Sequence, residues 1–156
     1  GNMPTIRIAQ LADLLFKSKN LFSKLLDCQN IKEIRNYFQL EASSYWDNHF
    51  KFDQEAKQKR RKKLGNAAIN NLIINTISPF LFVYGKQKEL PEMKEKATIF
   101  LEQVKTENNH IIKGWKNLGI KAGHAADSQA LIHLKKEYCN KKNCLQGAIG
   151  NQILSS

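Results

Sequence analysis

The chain has 156 residues, 42% of them hydrophobic and 25% charged, and its 25 Lys and Arg against 14 Asp and Glu give a formal net charge of +11. The length suits one domain with its own core, and the composition excludes an intrinsically disordered chain. The three cysteines form no regular disulfide framework, so we expect reduced thiols and a cytoplasmic protein. Neither a signal peptide nor an uninterrupted apolar run of membrane-spanning length is visible, so no membrane partner is expected.

Apolar residues at helical spacing begin close to the amino terminus. Thr5 is the predicted N-cap of a first helix, residues 21–27 are predicted as a second, and Asn30 is predicted to cap a third. The inward stripe of the first helix is predicted to consist of Ile8, Leu11, Ala12 and Leu15.

Helical periodicity weakens over residues 40–53, where YWDNHFKFD predicts an aromatic connector with about one helical turn. Tyr45 and Trp46 could stack on the bases of single-stranded nucleic acid, or they could fill the core beneath the connector. The polar residues between the aromatics match no established spacing of metal ligands. Both interpretations of the aromatic residues stay open at this point.

The most informative feature is the run KQKRRKK, which has six cations in seven positions. Such a run either stays solvated or meets a polyanion, and cations contact nucleic-acid phosphates without reading the bases. If the run were helical, its cations would wrap around the axis and one groove could engage only some of them. The candidate phosphate-binding residues are Lys57, Lys59, Arg60, Arg61, Lys62 and Lys63.

The most hydrophobic segment follows, and it predicts a buried central helix that begins at Gly65 and Asn66. Pro79 lacks an amide donor, so it should kink or interrupt this helix near residues 75–77. Gly85 is the predicted end of the helix.

Three further helices complete the prediction. Pro91 fits the first turn of one, Thr106 is a predicted cap of the next with Gly119 closing it, and Asp127 is predicted to cap the last. With no alternating run long enough for a secure strand, the sequence predicts a single all-α domain over residues 1–156. It contains about seven helices arranged around a central helix with a proline kink.

No catalytic motif is apparent in the sequence. There is no Walker loop, dinucleotide fingerprint or Gly-x-Ser-x-Gly elbow, and helix capping accounts for Asp127 and Ser128. Cys139 and Cys144 lack the second pair of ligands that a structural zinc needs, so they are interpreted as packed thiols. We therefore expect no enzyme activity in this chain, no metal and no cofactor.

Four long strings carry a resemblance to a known family: NMPTIRIAQLA, SYWDNHFKFD, INTISPFLFVYG and ADSQALIHLKKEYCNKKNCLQGAIG. Through them the chain resembles the bacterial family called domain of unknown function 2851. The resemblance implies that the chain is the carboxy-terminal part of a longer protein. It also implies an amino-terminal part similar to a restriction-endonuclease-type nuclease, whose acidic active site would lie outside this chain.

Three functional hypotheses are consistent with these observations. The leading hypothesis is a non-catalytic helical domain that binds nucleic-acid phosphates in support of the nuclease-like amino-terminal domain. The alternative is a structural or interaction module that packs on that domain or on a partner, and a contiguous exposed apolar patch outside the basic run would favour it. A third hypothesis is an active site shared between domains, to which Asp47 or His49 would contribute.

Overall fold

Helices account for most of the backbone in the computed structural model, which describes residues 3–155 apart from the side chains of Cys144 and Ile149. The predicted all-α domain is confirmed, and the described part adds a small hairpin of strands β1 (His49–Lys51) and β2 (Gln54–Glu55). The helices are α1 (Pro4–Lys17), α2 (Leu21–Asp27), α3 (Ile31–Tyr37), α4 (Asn66–Leu72), α5 (Ser78–Gln87), α6 (Pro91–Glu102), α7 (His110–Asn117), α8 (Ala125–His133) and α9 (Ala148–Leu154).

The described chain also contains two π segments. The segment Ile73–Ile77 joins α4 to α5, and the segment Leu134–Cys139 continues α8. The predicted central helix is therefore continuous over Asn66–Gln87, and its predicted interruption takes the form of the first π segment. Pro79 is the cause, because its nitrogen carries no hydrogen for an α-helical bond, and the Ser78 N–H bonds to the Ile73 carbonyl instead.

The central helix supplies much of the main core. Its residues Ile69, Ile73, Ile77 and Leu81 are buried in one cluster with side chains of α3, α6 and α8. By length and composition alone, Asn66–Gln87 is also long and apolar enough to cross a membrane. A single helix of this kind is weak evidence for a membrane segment, because core helices of soluble proteins meet the same criteria.

Gly85 does not end the central helix, which continues to Gln87, so that prediction is wrong. The residue is buried, and a Cβ added there would lie 2.8 Å from the Met93 Cβ and 2.9 Å from the Leu90 carbonyl oxygen. The glycine therefore allows α5 to approach the start of α6 more closely than any side chain would permit.

We expect Gly85→Ala to lower the free energy of unfolding by about 1–3 kcal/mol, because the added methyl group overpacks this contact. The matched control is Gly114→Ala in the middle of α7, where a Cβ would have no neighbour within 4 Å. That change should raise stability by about 0.5–1 kcal/mol through helix propensity. Urea denaturation of both variants measures the contrast, and a Gly85→Ala protein as stable as the parent would contradict it.

The buried face of α1 differs from the predicted one. Ile6, Gln10 and Leu14 are the buried residues, and Met3 rather than Thr5 occupies the N-cap position. Polar contacts of Gln10 and Asp13 with residues 41–62 select this face, so all four residues of the predicted inward stripe are exposed to solvent. The exposed apolar residues of α1 are Ile8 at 67%, Leu11 at 51%, Leu15 at 68% and Phe16 at 88% of full exposure.

Among the other predicted helix ends, three are confirmed and two are wrong. Asn30 caps α3 by accepting from the Lys32 and Glu33 amides, Pro91 begins α6, and Gly119 follows the end of α7 with a φ of 84°. The predicted caps Thr106 and Asp127 are replaced by Asn109 and His124, respectively. Asp127 lies in the first turn of α8 instead, where its carboxylate accepts the Gly123 N–H at 2.8 Å.

Candidate nucleic-acid interface

The basic run belongs to a loop, residues 41–63, that is closed at its base; we call it the basic loop. Glu41 and Lys63 form an antiparallel bridge, the Ala42 N–H donates to the Lys62 carbonyl at 3.1 Å, and the Leu64 N–H donates to the Leu40 carbonyl at 2.8 Å. The β1–β2 hairpin forms the middle of the loop. Residues 57–62 are neither helical nor paired as a strand, so their cations do not wrap around a helix axis.

Helix α1 holds the basic loop through three polar side chains. The Thr5 hydroxyl donates to the Phe50 carbonyl at 2.5 Å, and the buried Gln10 amide donates to the Lys62 carbonyl at 2.8 Å. The Asp13 carboxylate accepts the Glu41 N–H at 3.1 Å and also pairs with Lys17. Burial would raise the pKa of Asp13, but the hydrogen bonds from Lys17 and Glu41 outweigh it and hold that pKa below its ordinary value.

Lys62 is a structural cation, although the sequence places it among the candidate phosphate-binding residues. Its side chain is buried at 8% exposure, and its ammonium nitrogen lies 3.9 Å from the centre of the Phe50 ring. A cation over an aromatic face is stabilised by the ring quadrupole, most strongly where water is excluded. Lys62 therefore contributes to the fold and is not placed to contact a phosphate.

Arg61 and Lys63 share one carboxylate, that of Glu41. The Arg61 Nε lies 3.5 Å from one oxygen and the Lys63 Nζ lies 3.9 Å from the other. Both cationic side chains remain well exposed, and exposed ion pairs contribute little free energy. An arriving phosphate could therefore compete with Glu41 for these two side chains.

Within the basic run, Lys57, Lys59 and Arg60 are exposed cations for which the described part of the chain shows no salt bridge. The Arg60 backbone is fixed by its N–H, which donates to the Asp47 carbonyl at 2.7 Å. Residues 49–63 as a whole contain seven Lys or Arg and two carboxylates. This part of the surface is therefore strongly positive.

The aromatic residues of the basic loop divide between core and surface. Trp46 is buried at 8% exposure in a small cluster with Ile6 and Ala42, so it is a core residue and is not available for stacking on a base. Tyr45 is partly exposed and lies parallel to the His49 ring, with the ring centres 4.2 Å apart. Phe52, absent from the predicted site, is 68% exposed beside Tyr45. The position of Phe52 in the turn of the β1–β2 hairpin is what exposes its ring, and periodicity in the sequence does not predict this turn.

The described residues give little support for a metal site or for a nucleophilic cysteine or serine. No group of three or more His, Cys, Asp or Glu side chains there could hold a metal ion, although the side chain of Cys144 lies outside this description. Cys28 is buried, and burial raises the pKa of its thiol, which disfavours the reactive thiolate. Ser128 is also buried, and its hydroxyl donates to the Ala125 carbonyl at 3.0 Å.

The fold and the site together define a small helical domain with an exposed basic loop. The chain belongs to the family described as protein of unknown function (DUF2851), whose family model matches residues 1–110. The match covers α1 to α6 and the basic loop, and it confirms the family resemblance. Comparisons with curated proteins and with solved structures find no match.

The two roles of the basic run can be separated by stability measurements. We expect Lys62→Ala to lower the free energy of unfolding by about 1–3 kcal/mol, because it removes both the cation over Phe50 and the packed aliphatic stem. Arg60 lies two residues earlier in the loop and is exposed, so Arg60→Ala should change the free energy of unfolding by less than about 0.5 kcal/mol. Equal losses in urea denaturation of the two variants would show that Lys62 has no special structural role.

Proposed function

We propose that this domain binds the phosphates of nucleic acid through the basic loop, in support of the nuclease-like domain that the resemblance implies. The observation that carries the proposal is the group of exposed cations at Lys57, Lys59 and Arg60, with Arg61 and Lys63 beside them. Cations grouped in this way neutralise phosphates and release counterions. Binding of this kind is independent of base sequence.

The aromatic surface of the loop favours single-stranded nucleic acid. Tyr45, His49 and Phe52 form a partly exposed aromatic group within the same loop as the free cations. Unpaired bases stack on aromatic side chains, whereas the bases of a duplex are already stacked on each other. The expected order of affinity is therefore single strand above duplex, with both decreasing as salt increases.

The central test changes three exposed cations together, as Lys57→Gln, Lys59→Gln and Arg60→Gln. Fluorescence anisotropy with labelled single-stranded DNA and RNA should show weaker binding and a shallower dependence of log affinity on log salt. Each lost phosphate contact reduces that slope by about 0.7 for single strands, so the triple variant should lose about 2. Glu41→Gln should strengthen binding, because it releases Arg61 and Lys63 from their shared carboxylate.

The matched control is Lys86→Gln, Lys88→Gln and Lys121→Gln, which removes the same charge from exposed positions outside the basic loop. If both triple variants lose affinity equally, the basic loop has no privileged role and only net charge matters. Undetectable binding of the parent chain at low salt would reject the proposed function. Circular dichroism establishes that each variant remains folded.

A second candidate function rests on the exposed apolar face of α1, defined by Ile8, Leu11, Leu15 and Phe16. Contiguous apolar patches on a surface commonly mark an interface with another domain or protein. We propose the amino-terminal domain implied by the resemblance as the occupant of this face. In the longer protein it would precede α1 in the chain, so the covalent link would raise its effective concentration at this helix.

This second proposal predicts that Phe16→Glu acts only in the longer family protein. There it should lower the unfolding temperature and increase cleavage by protease between the domains, because a charge is placed in an apolar interface. In the 156-residue chain the same change should leave stability unaltered, because Phe16 is exposed. Leu154→Glu, at another exposed apolar position, is the control.

Two results would contradict the assignment of the amino-terminal domain to the α1 face. One is an unaltered unfolding temperature and protease pattern in the longer protein. The other is self-association of the 156-residue chain that Phe16→Glu abolishes in sedimentation velocity, because this would identify a second copy as the occupant.

A further inference from the structure

A concave surface lies in the carboxy-terminal half, between α7 and the π segment Leu134–Cys139; we call it the α7 groove. The groove is partly open to solvent and has a volume of about 560 Å³, within the range of pockets that bind small molecules. Its walls are mainly apolar and include Ile111, Trp115 and Leu118. The Trp115 indole N–H donates to the Leu131 carbonyl at 3.1 Å, which fixes the ring in the wall.

Gly114 provides the space in this groove. It lies in the middle of α7, where glycine costs about 1 kcal/mol relative to alanine. The cost is not explained by packing, because Gly114 is exposed and, beyond the backbone of its own helical turn, no described atom lies within 4 Å of the position that a Cβ would occupy. The backbone conformation does not require a glycine at this position either, since φ at Gly114 is not positive. The glycine therefore keeps open a volume that the protein itself does not fill.

The charges around the groove have one sign. Lys135 and His110 line it, together with the Asn140 amide, and none of the described lining residues carries a carboxylate. The nearest acidic residue in the same π segment, Glu137, is paired with Lys141. An anionic group in the groove would therefore meet a cation and hydrogen-bond donors without an opposing negative charge.

The π segment itself is a further observation. The segment Ile73–Ile77 is explained by Pro79, but no proline lies in or immediately after Leu134–Cys139. The Asn140 N–H bonds to the Lys135 carbonyl at 2.9 Å, and this wider turn places Lys135, Cys139 and Asn140 on one wall of the groove. Widened turns of this kind occur frequently at functional sites.

We propose that the α7 groove binds a small amphiphilic carboxylate, either aliphatic or aromatic. Its apolar body would lie across Gly114 against the Trp115 ring, and its carboxylate would meet Lys135. The proposal is independent of nucleic-acid binding, because the basic loop contributes no residue to the groove.

Decanoate is a suitable probe, with decanol as its uncharged counterpart, and both can be titrated by isothermal calorimetry. Decanoate should bind at one site, and Lys135→Gln should weaken it by about tenfold or more while leaving decanol unchanged, because only the carboxylate uses the cation. Gly114→Leu should abolish binding of both probes by filling the groove. The adjacent exposed Lys136, which does not line the groove, supplies the control Lys136→Gln.

Three results would overturn the proposal. Equal binding of decanol and decanoate, unaffected by Lys135→Gln, would show that the groove does not select an anion. Unchanged decanoate binding in Gly114→Leu, with circular dichroism of a folded protein, would place the ligand elsewhere. Self-association of the parent chain that Gly114→Leu disrupts in sedimentation velocity, without decanoate binding, would identify a second copy of the chain as the occupant.

Discussion

The arrangement of the amino-terminal half depends on a buried contact between Gln10 and the backbone of Lys62. The Gln10 amide donates to the Lys62 carbonyl, while its own oxygen accepts from Arg7 at 2.9 Å. Because the hydrogen bond between the Gln10 amide and the Lys62 carbonyl is buried, breaking it would leave a buried polar group unsatisfied. The contact fixes Lys62 with its ammonium over Phe50, so the neighbouring cations of the basic run are directed to the surface.

The same contact determines the second surface of this half. Once Gln10 faces the basic loop, the opposite side of α1 must face outward, and that side carries large apolar residues. The exposed basic loop and the exposed apolar face are therefore two consequences of the same packing of α1 against the loop, and both surfaces are available at once. Under the two proposed functions, this shared geometry would couple the position of nucleic acid to the position of a neighbouring domain.

Local signals in the sequence were sufficient to predict the helices themselves, but not all of their ends, the buried face of α1 or the burial of Lys62. Asn30, Pro91 and Gly119 act within a few residues of the helix ends they determine, so their roles could be predicted. Lys62 could not be predicted to be buried, because its partner Gln10 lies 52 residues earlier in the chain. Helix α1 has apolar residues on two faces, and periodicity alone cannot decide which of them a distant loop will cover.

The π segment Ile73–Ile77 also sets the rotational phase of the central helix. The positions of Ile69, Ile73, Ile77, Leu81 and Gly85 are all buried, although residues spaced by four in a regular α-helix would fan over about 160° across this length. One additional residue in a turn moves every later position back by about 100°, which leaves a spread of about 80°. A single straight seam therefore runs along the whole helix. Pro79, which looks like a defect in the sequence, is what delivers Gly85 to its contact with α6.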